Sequence, residues 1–519
     1  MKEKSTKPHS VYVPEGWEAD LKAAVENDPP KFKPKFQHDY AIYIGQLPLY
    51  LIWNRHKQKY SLDEYLPINK QLLQGRIHNY KMYLDYLVNH DLLEDDKHYI
   101  VGKKSTGFRY PPKYASQKPV KVLLRNHILV KNLKKNRFAK GKESEPPIYT
   151  PTGYDYLDKW FNENLKIDKA KAEEILLQLR EKDLKKAVTF KGEWVTVPDA
   201  MVKGGSRRYY KKFDPEARYI KRYITALRIY DGSFDDNGVD TTTGRYHSPI
   251  VRLKKELRET ITYGGNRLVS VDIRNSQPFL LGTLTDPKVF ASNGIGSRIY
   301  HYNPSVEESL RLEAYLERND GTFTWRDITN KVSGDDKERN TSRLAGEGYI
   351  MLVDFINQRF QSQDVQEYLD WVTSGTFYEK LGDVIAPYLD IKKYGSKRDA
   401  AKNATYGILF GRKGNNKKAV QVFRARFPTV AEIVDLIKHG NPDDRVHRTL
   451  SCTLQVMEAD IILNNCCRVI SQERPDLPIF TVHDSILTLQ GEKEYVKSVM
   501  ETTISRMIGY TPKLECQNW

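Results

Sequence analysis

Three segments carry side chains whose types and spacing point to chemistry. In NRLVSVDIRNSQPFLLGTL, the apolar residues Leu268, Val269 and Val271 form a strand that runs into Asp272. A carboxylate at the end of a buried strand is costly unless it is paired or binds a cation. The alternative is an Asp272 that caps a helix over Asn275–Leu281. In PIFTVHDSILTLQG, Ile479, Phe480 and Val482 lead into His483-Asp484-Ser485, and Ile486, Leu487 and Leu489 leave. This is strand, tight turn, strand, with Asp484 at the tip. An ordinary surface turn is the alternative. The paired His-Asp of a metal phosphohydrolase would need further ligands presented from helices, and these flanks are strand-like. In GSKRDAAKNATYGILFGRKG, Arg398, Lys402, Tyr406 and Phe410 recur at every fourth position, and Gly411 can end the helix. Each step turns about 400°, so the four share one helix face with a drift of about 40° per step. The cationic end suits a triphosphate and the aromatic end a base and sugar. The alternative packs both rings in a core and leaves the cations in water.

These segments need a framework. From residue 266 onward short apolar strands alternate with long helices, and residues 152–230 read as mostly helical. Residues 231–250 form a turn-rich loop. Residues 1–35 are polar and Pro-rich and read as an extended arm. Residues 36–112 read as a winged helix-turn-helix module: apolar residues from Leu72 to Leu93 at helical spacing, then HYIVGKKSTGFRY as a basic hairpin with Lys103, Lys104 and Arg109 on the wing. A small helical cap with a solvated hairpin is the alternative. Residues 113–150 read as a basic linker and 151–235 as a helical region.

The 519 residues carry 83 Lys and Arg against 67 Asp and Glu, a net charge of +16. Residues 101–150 alone hold 13 Lys and Arg against two acids, and 201–230 hold nine against two, so the remainder is near neutral. The second run interleaves aromatics: Arg207, Arg208, Tyr209, Tyr210, Lys211, Lys212, then Tyr219, Lys221, Arg222 and Tyr223. Cations track phosphates by counterion release, and aromatic rings can stack on unpaired bases. A polyanionic partner follows. No apolar run approaches the roughly 20 residues of a spanning helix, no secretory h-region opens the chain, and four cysteines without a C-x-x-C pair argue for a reducing compartment. The expectation is a cytoplasmic protein without a membrane partner.

Taken in order, the three segments resemble the family A DNA polymerases of the DNA polymerase I type. Asp272 matches the motif A aspartate and Asp484 the motif C aspartate. Arg398, Lys402, Tyr406, Phe410 and Gly411 match the motif B helix. Thr243-Gly244-Arg245 resembles the T-G-R motif, and Gln455 the glutamine that contacts the primer terminus. The resemblance implies an α+β right-hand fold: a palm over 236–300 and 441–519, fingers over 301–440 with their helix at 396–411, and a reduced thumb at 151–235. It implies a DNA polymerase using two Mg²⁺ ions, with Mn²⁺ as a substitute, dNTPs and a DNA primer-template. Asp272, Asp484 and the Ile273 carbonyl would hold metal. Arg398, Lys402, Tyr406 and Phe410 would hold the nucleotide. Arg245, Gln455, His483 and the cations Arg207, Arg208, Lys211 and Lys212 would hold primer and template. Two departures stand out. Motif A has two extra residues, which leaves Gln277 where a sugar-selecting glutamate is usual, and motif C reads His-Asp-Ser. No proofreading exonuclease motif precedes Asp272. The compact arrangement, with an N-terminal module that would meet DNA or other replication proteins, suggests a replicator of a phage or plasmid. An RNA polymerase or primase on the same palm, and a non-catalytic DNA-binding initiator, are the rival readings.

Overall fold

The computed structural model describes residues 8–31, 35–54, 64–68, 73–98, 105–115, 117–137, 149–150, 152–189, 193–198, 206–211, 213–235, 237–292, 352–411, 417–439 and 448–519. At its centre is an antiparallel sheet of six strands. In chain order these are β1 (Leu165–Ile167), β2 (Ile261–Tyr263), β3 (Asn266–Ile273), β4 (Phe480–Val482), β5 (Ser485–Leu489) and β6 (Leu514–Asn518). The order across the sheet is β4-β5-β3-β2-β1, with β6 also paired to β3. Strand β3 is flanked by β5 from Leu268 to Asp272 and by β6 from Val269 to Ile273. Both of its edges are thus paired, and both of its faces are covered by packed side chains, so Leu268, Val269, Ser270 and Val271 are inaccessible. This explains a near-continuous apolar run instead of alternation.

Two cores cover the two faces. On one, Val271 and Ile273 pack with Ile486, Leu514 and the helix Lys493–Ile508. On the other, Leu268 and Leu487 pack with Phe480, Trp519 and residues as distant as Val11, Trp17 and Leu124. The N-terminal region is thus built onto the sheet, which corrects the arm and linker expected from composition. His9–Pro14 pairs with Pro119–Leu124 along six register partners, and Trp17–Asn27 and His127–Arg137 are helices. Trp17 is fully buried, its indole N–H donates to the Leu92 carbonyl at 2.9 Å, and Gly45 lies so close beneath the ring that a Cβ would sit 2.1 Å from it.

Within 36–112, Leu66–Pro67, Gly107–Arg109 and Glu94–Asp95 form a three-strand sheet with Gly107–Arg109 in the middle; the helix Tyr80–Asn89 lies between its first strand and the other two. Arg109 is not a free wing cation: its Nε donates to Glu94 at 2.7 Å and its guanidinium covers the Tyr65 ring. Lys103 and Lys104 lie outside the described residues.

The helices α1 (Lys169–Thr189) and α2 (Pro215–Tyr230) pack together beside the sheet. Asp183 accepts from Arg218 at 3.0 Å and Arg222 at 2.7 Å, and Arg228 bonds the Ser233 carbonyl. Tyr219 and Tyr223 are buried. So the second basic run is in part internal structure: those arginines cap and tie the helices, and those two rings fill a core instead of offering stacking surfaces. Arg207, Arg208 and Lys211 lie on the strand Ser206–Lys211, paired with Glu193–Pro198, and Lys212 lies outside the described residues. The loop expected over 231–250 contains the short strands Gly238–Asp240 and Tyr246–His247, in one sheet with Tyr149–Thr150.

Candidate active site

The sheet brings the two aspartates together. Asp272 is the register partner of Ser485 on β5, and the Ile273 N–H donates to the Asp484 carbonyl at 3.3 Å. Residues 272 and 484 are thus neighbours although 212 positions separate them. Asp484 occupies the two-residue turn between β4 and β5, as expected. His483 makes that turn with a φ of 56°, a left-handed conformation that His tolerates better than most side chains. Asp272 belongs to the strand and is not a helix cap. The following helix, Ser276–Thr283, starts after Asn275, whose φ is also 56°. Arg274 and Asn275 make the turn that leads from strand to helix.

The electrostatics are those of a site short of positive charge. Burial raises the Asp272 carboxyl above its usual range, while hydrogen bonds from Ser270 (2.6 Å) and Ser485 and the charge of Arg258 pull it back. Burial also raises Asp484, and the charges of Glu458 and Asp272 push it further. Burial and the charge of Arg245 lower His483 to about 4, so its ring is neutral near pH 7. Arg258, over the Trp519 ring at 4.6 Å, feels both aspartates.

Sequence reasoning missed Glu458. It is 2 % exposed and forms the hub of the site: Ser276 Oγ and Gln277 Nε2 each donate to its Oε1 at 2.8 Å, and Arg245 pairs with its Oε2. It lies one turn after Gln455 on the helix Thr449–Ala459. Its signal in the sequence was a carboxylate between the apolar Met457 and Ala459, three positions after Gln455. Arg245 is presented by the turn after Asp240. That carboxylate accepts the N–H groups of Thr242 (3.0 Å) and Thr243 (2.7 Å), and it faces His247. Burial would raise Asp240, but the bonds from His247 and Thr243 outweigh it and hold it below the ordinary carboxylate range. Several buried polar atoms around this cluster have no hydrogen-bond partner among the described residues: Arg245 Nε, Gln277 Oε1, His483 Nδ1 and both amide atoms of Asn275. Such groups are costly to bury unless something else meets them. Removing Glu458 should therefore be severe. Glu458→Ala leaves Arg245 and two further donors unmatched, and we expect a loss of about 3 kcal/mol, seen as a lower melting temperature of the whole chain. A melt unchanged from wild type would contradict the hub.

The helix expected over 396–411 spans Lys397–Phe410 and starts where Ser396 accepts the Asp399 N–H at 3.0 Å. Ala400, Ala401, Ala404, Ile408 and Leu409 are buried, whereas Tyr406 is 50 % exposed and Phe410 37 %. The rings therefore face outward on the stripe of Arg398 and Lys402, contrary to the alternative in which they fill a core. At the other end Gly411 is extended, with φ −76°, and the Lys438 ammonium caps the helix, donating to the carbonyls of Ile408 and Gly411 (2.8 Å). Burial lowers Lys438 to about 8. The unfolded chain then holds the proton more tightly, so stability rises as pH climbs from about 8 toward 10. In Lys438→Met that rise, at most about 3 kcal/mol, should be missing. Melting both proteins between pH 7 and 10 checks it.

The stripe adjoins the aspartates through Tyr378. Arg398 and Lys402 lie 5.4 and 5.9 Å from its ring centroid, and burial, Tyr406 and Asp484 all raise its hydroxyl. Burial lowers the Lys402 ammonium, and Arg398 lowers it further.

Among the described residues no group of three or more His, Cys, Asp and Glu could hold a metal ion. Two carboxylates nevertheless suit Mg²⁺, which takes hard oxygens and commonly one or two carboxylates completed by water and substrate phosphate. The raised carboxyls of Asp272 and Asp484 are what a nearby cation would relieve. No described helix is long and apolar enough to cross a membrane. No protein-family model and no curated protein matches the chain. Among solved structures it is similar to the POL domain of Pol1 from M. smegmatis in complex with DNA primer-template and dNTP, at 12% identity and a TM-score of 0.27, over 69% of this chain and 67% of that one.

Proposed function

We propose that this chain is a template-directed nucleotidyltransferase that extends a primer, most simply a DNA polymerase acting in replication. The observation that carries the proposal is the convergence of Asp272 and Asp484 on adjacent strands, next to an exposed helix stripe of two cations and two aromatics. Asp272, Asp484 and the Ile273 carbonyl would hold two Mg²⁺ ions, which when bound would supply activation of the primer 3′-hydroxyl and charge stabilisation of the pyrophosphate leaving group. Arg398 grips the terminal phosphate. Lys402, with its proton loosened by burial, neutralises the triphosphate and protonates the departing pyrophosphate. Tyr406 packs on the sugar and base, and Phe410 lies near the templating base. Arg245, held by Glu458, and Gln455 read the minor-groove acceptors of the primer terminus.

The helical pair α1 and α2 would serve as a reduced thumb, with the hairpin Glu193–Pro198 and Ser206–Lys211 along the duplex path. The strand order of the three-strand sheet in 36–112 is that of a winged helix, so Tyr80–Asn89 would be its DNA-reading helix. A phage or plasmid replicator is the setting this arrangement suits.

Use of ribonucleotides is the second reading, and Gln277 favours it. Its side chain is tied to Glu458 and stands where a sugar-selecting carboxylate is usual. Primer-extension assays with four dNTPs and four rNTPs, with and without a primer, separate the two. Templated addition of dNTPs supports the first, primer-independent use of rNTPs the second, and binding without incorporation would leave a non-catalytic initiator.

A further inference from the structure

Arg274, in the turn after Asp272, reaches across to the helical region. Its backbone N–H donates to the Lys513 carbonyl at 2.9 Å. Gly375 lies against it: a Cβ there would sit 3.3 Å from Arg274 Cδ and 2.7 Å from Lys513 Cβ. So fixed, the Arg274 guanidinium donates to Glu379 Oε1 at 2.9 Å. The Arg398 Nε donates to that same oxygen at 3.2 Å. Glu379 stands in the first turn of the helix Phe377–Ile385, directly after Tyr378, whose ring lies beneath the cations of Arg398 and Lys402. On its far side, Arg274 Nε lies 3.6 Å from Glu515, the register partner of Asp272.

Two guanidinium groups, one from the sheet and one from the helix, therefore meet at a single carboxylate oxygen. The carboxylate between them offsets the repulsion of the two like charges. All three side chains keep between 31% and 43% of their surface exposed, so the anion is exchangeable. A carboxylate presents guanidinium groups with the same oxygen acceptors as a phosphate, but with less charge.

We propose that Arg274 and Arg398 form a two-arginine phosphate site spanning the sheet and the helix, and that Glu379 is its internal occupant, displaced by the terminal phosphate of a polyphosphate ligand. The identity of that ligand as an incoming nucleotide rests on the function proposed above. Without nucleotide, Glu379 holds Arg398 toward the sheet. With nucleotide, the phosphate takes both arginines. Glu379 then acts as a competitor that sets how much triphosphate is needed to load the site.

The test is binding of inorganic tripolyphosphate to the full chain, followed by calorimetry at low salt without divalent metal. Glu379→Gln removes the competitor and should bind about fivefold more tightly than wild type, the scale of exposed ion pairs. Arg274→Ala should bind at least as much more weakly. Adding Glu379→Gln to Arg274→Ala should restore only part of the affinity. Should Arg274→Ala lose its melting transition, Arg274→Lys replaces it, since one ammonium cannot reproduce the guanidinium fork. Glu379→Gln binding no tighter than wild type, or an Arg274 variant binding as well as wild type, would overturn the proposal. If tripolyphosphate follows the expected order but no nucleotide is incorporated, the phosphate site stands and the polymerase function falls. If primers are extended and Glu379→Gln binds no tighter, the phosphate site alone falls.

Discussion

Asp272→Ala and Asp484→Ala should each slow nucleotide incorporation by on the order of 10³-fold, the scale of losing several kcal/mol of metal-assisted charge stabilisation. The same substitutions should leave the metal-free protein at least as stable as wild type. Burial raises both carboxyls, with Glu515 adding to it at Asp272 and Glu458 and Asp272 adding to it at Asp484, so the folded state works against their charge at neutral pH, and removing Asp272 also relieves Asp484. A third readout follows. Mg²⁺ should raise the melting temperature of the wild type and leave that of either variant unchanged. Incorporation at the wild-type rate by either variant would remove that residue from the site.

The second large effect falls on Lys402. Lys402→Ala should lower kcat about 10²-fold or more, as loss of a general acid does, while duplex affinity changes little. Burial first, and Arg398 second, hold its ammonium below the usual lysine range, which makes it a readier proton donor than a solvated lysine. Lys402→Arg keeps the charge but holds its proton too firmly to release it. It should therefore recover nucleotide binding without recovering kcat. Equal loss of DNA affinity and turnover in Lys402→Ala would reduce Lys402 to a phosphate contact. Single-turnover kinetics beside a DNA titration resolve the two.

The parts of the site legible in the sequence were those with a local period. The stripe Arg398, Lys402, Tyr406, Phe410 follows from helical spacing, and the structure adds only that alanines fill the opposite face. The hairpin around Asp484 follows from two short apolar runs with a His-Asp turn. The convergence of Asp272 with Asp484 has no local signature, because it depends on β3 pairing with β5 across more than 200 residues. It was reached only through resemblance. Glu458 was hidden because LQVMEADII has the pattern of an ordinary amphipathic helix, and its partners Arg245, Ser276 and Gln277 are remote in the chain. Glu379 was hidden for the same reason, and Arg274 registered only as a departure from a pattern.

The N-terminal error has a different cause. HSVYVP and PVKVLL both alternate as strands do, yet the Pro and Lys around them set the impression of an arm and a linker. Pairing buries Val11, Val13, Val122 and Leu124 and, with them, Tyr12, and leaves Leu123 exposed. The cations of 201–230 misled similarly. Arg218 and Arg222 are spent on Asp183, a residue of a different helix, which no tally of net charge within one segment reveals.

The most direct test of the central claim is single-nucleotide extension of a labelled primer on four templates that differ only in the first unpaired base. With Mg²⁺ present, the wild-type chain should add the complementary nucleotide on each template. A correctly folded chain that binds the primer-template yet adds nothing, or adds nucleotides without regard to the templating base, would contradict a site built on Asp272 and Asp484 for templated nucleotidyl transfer.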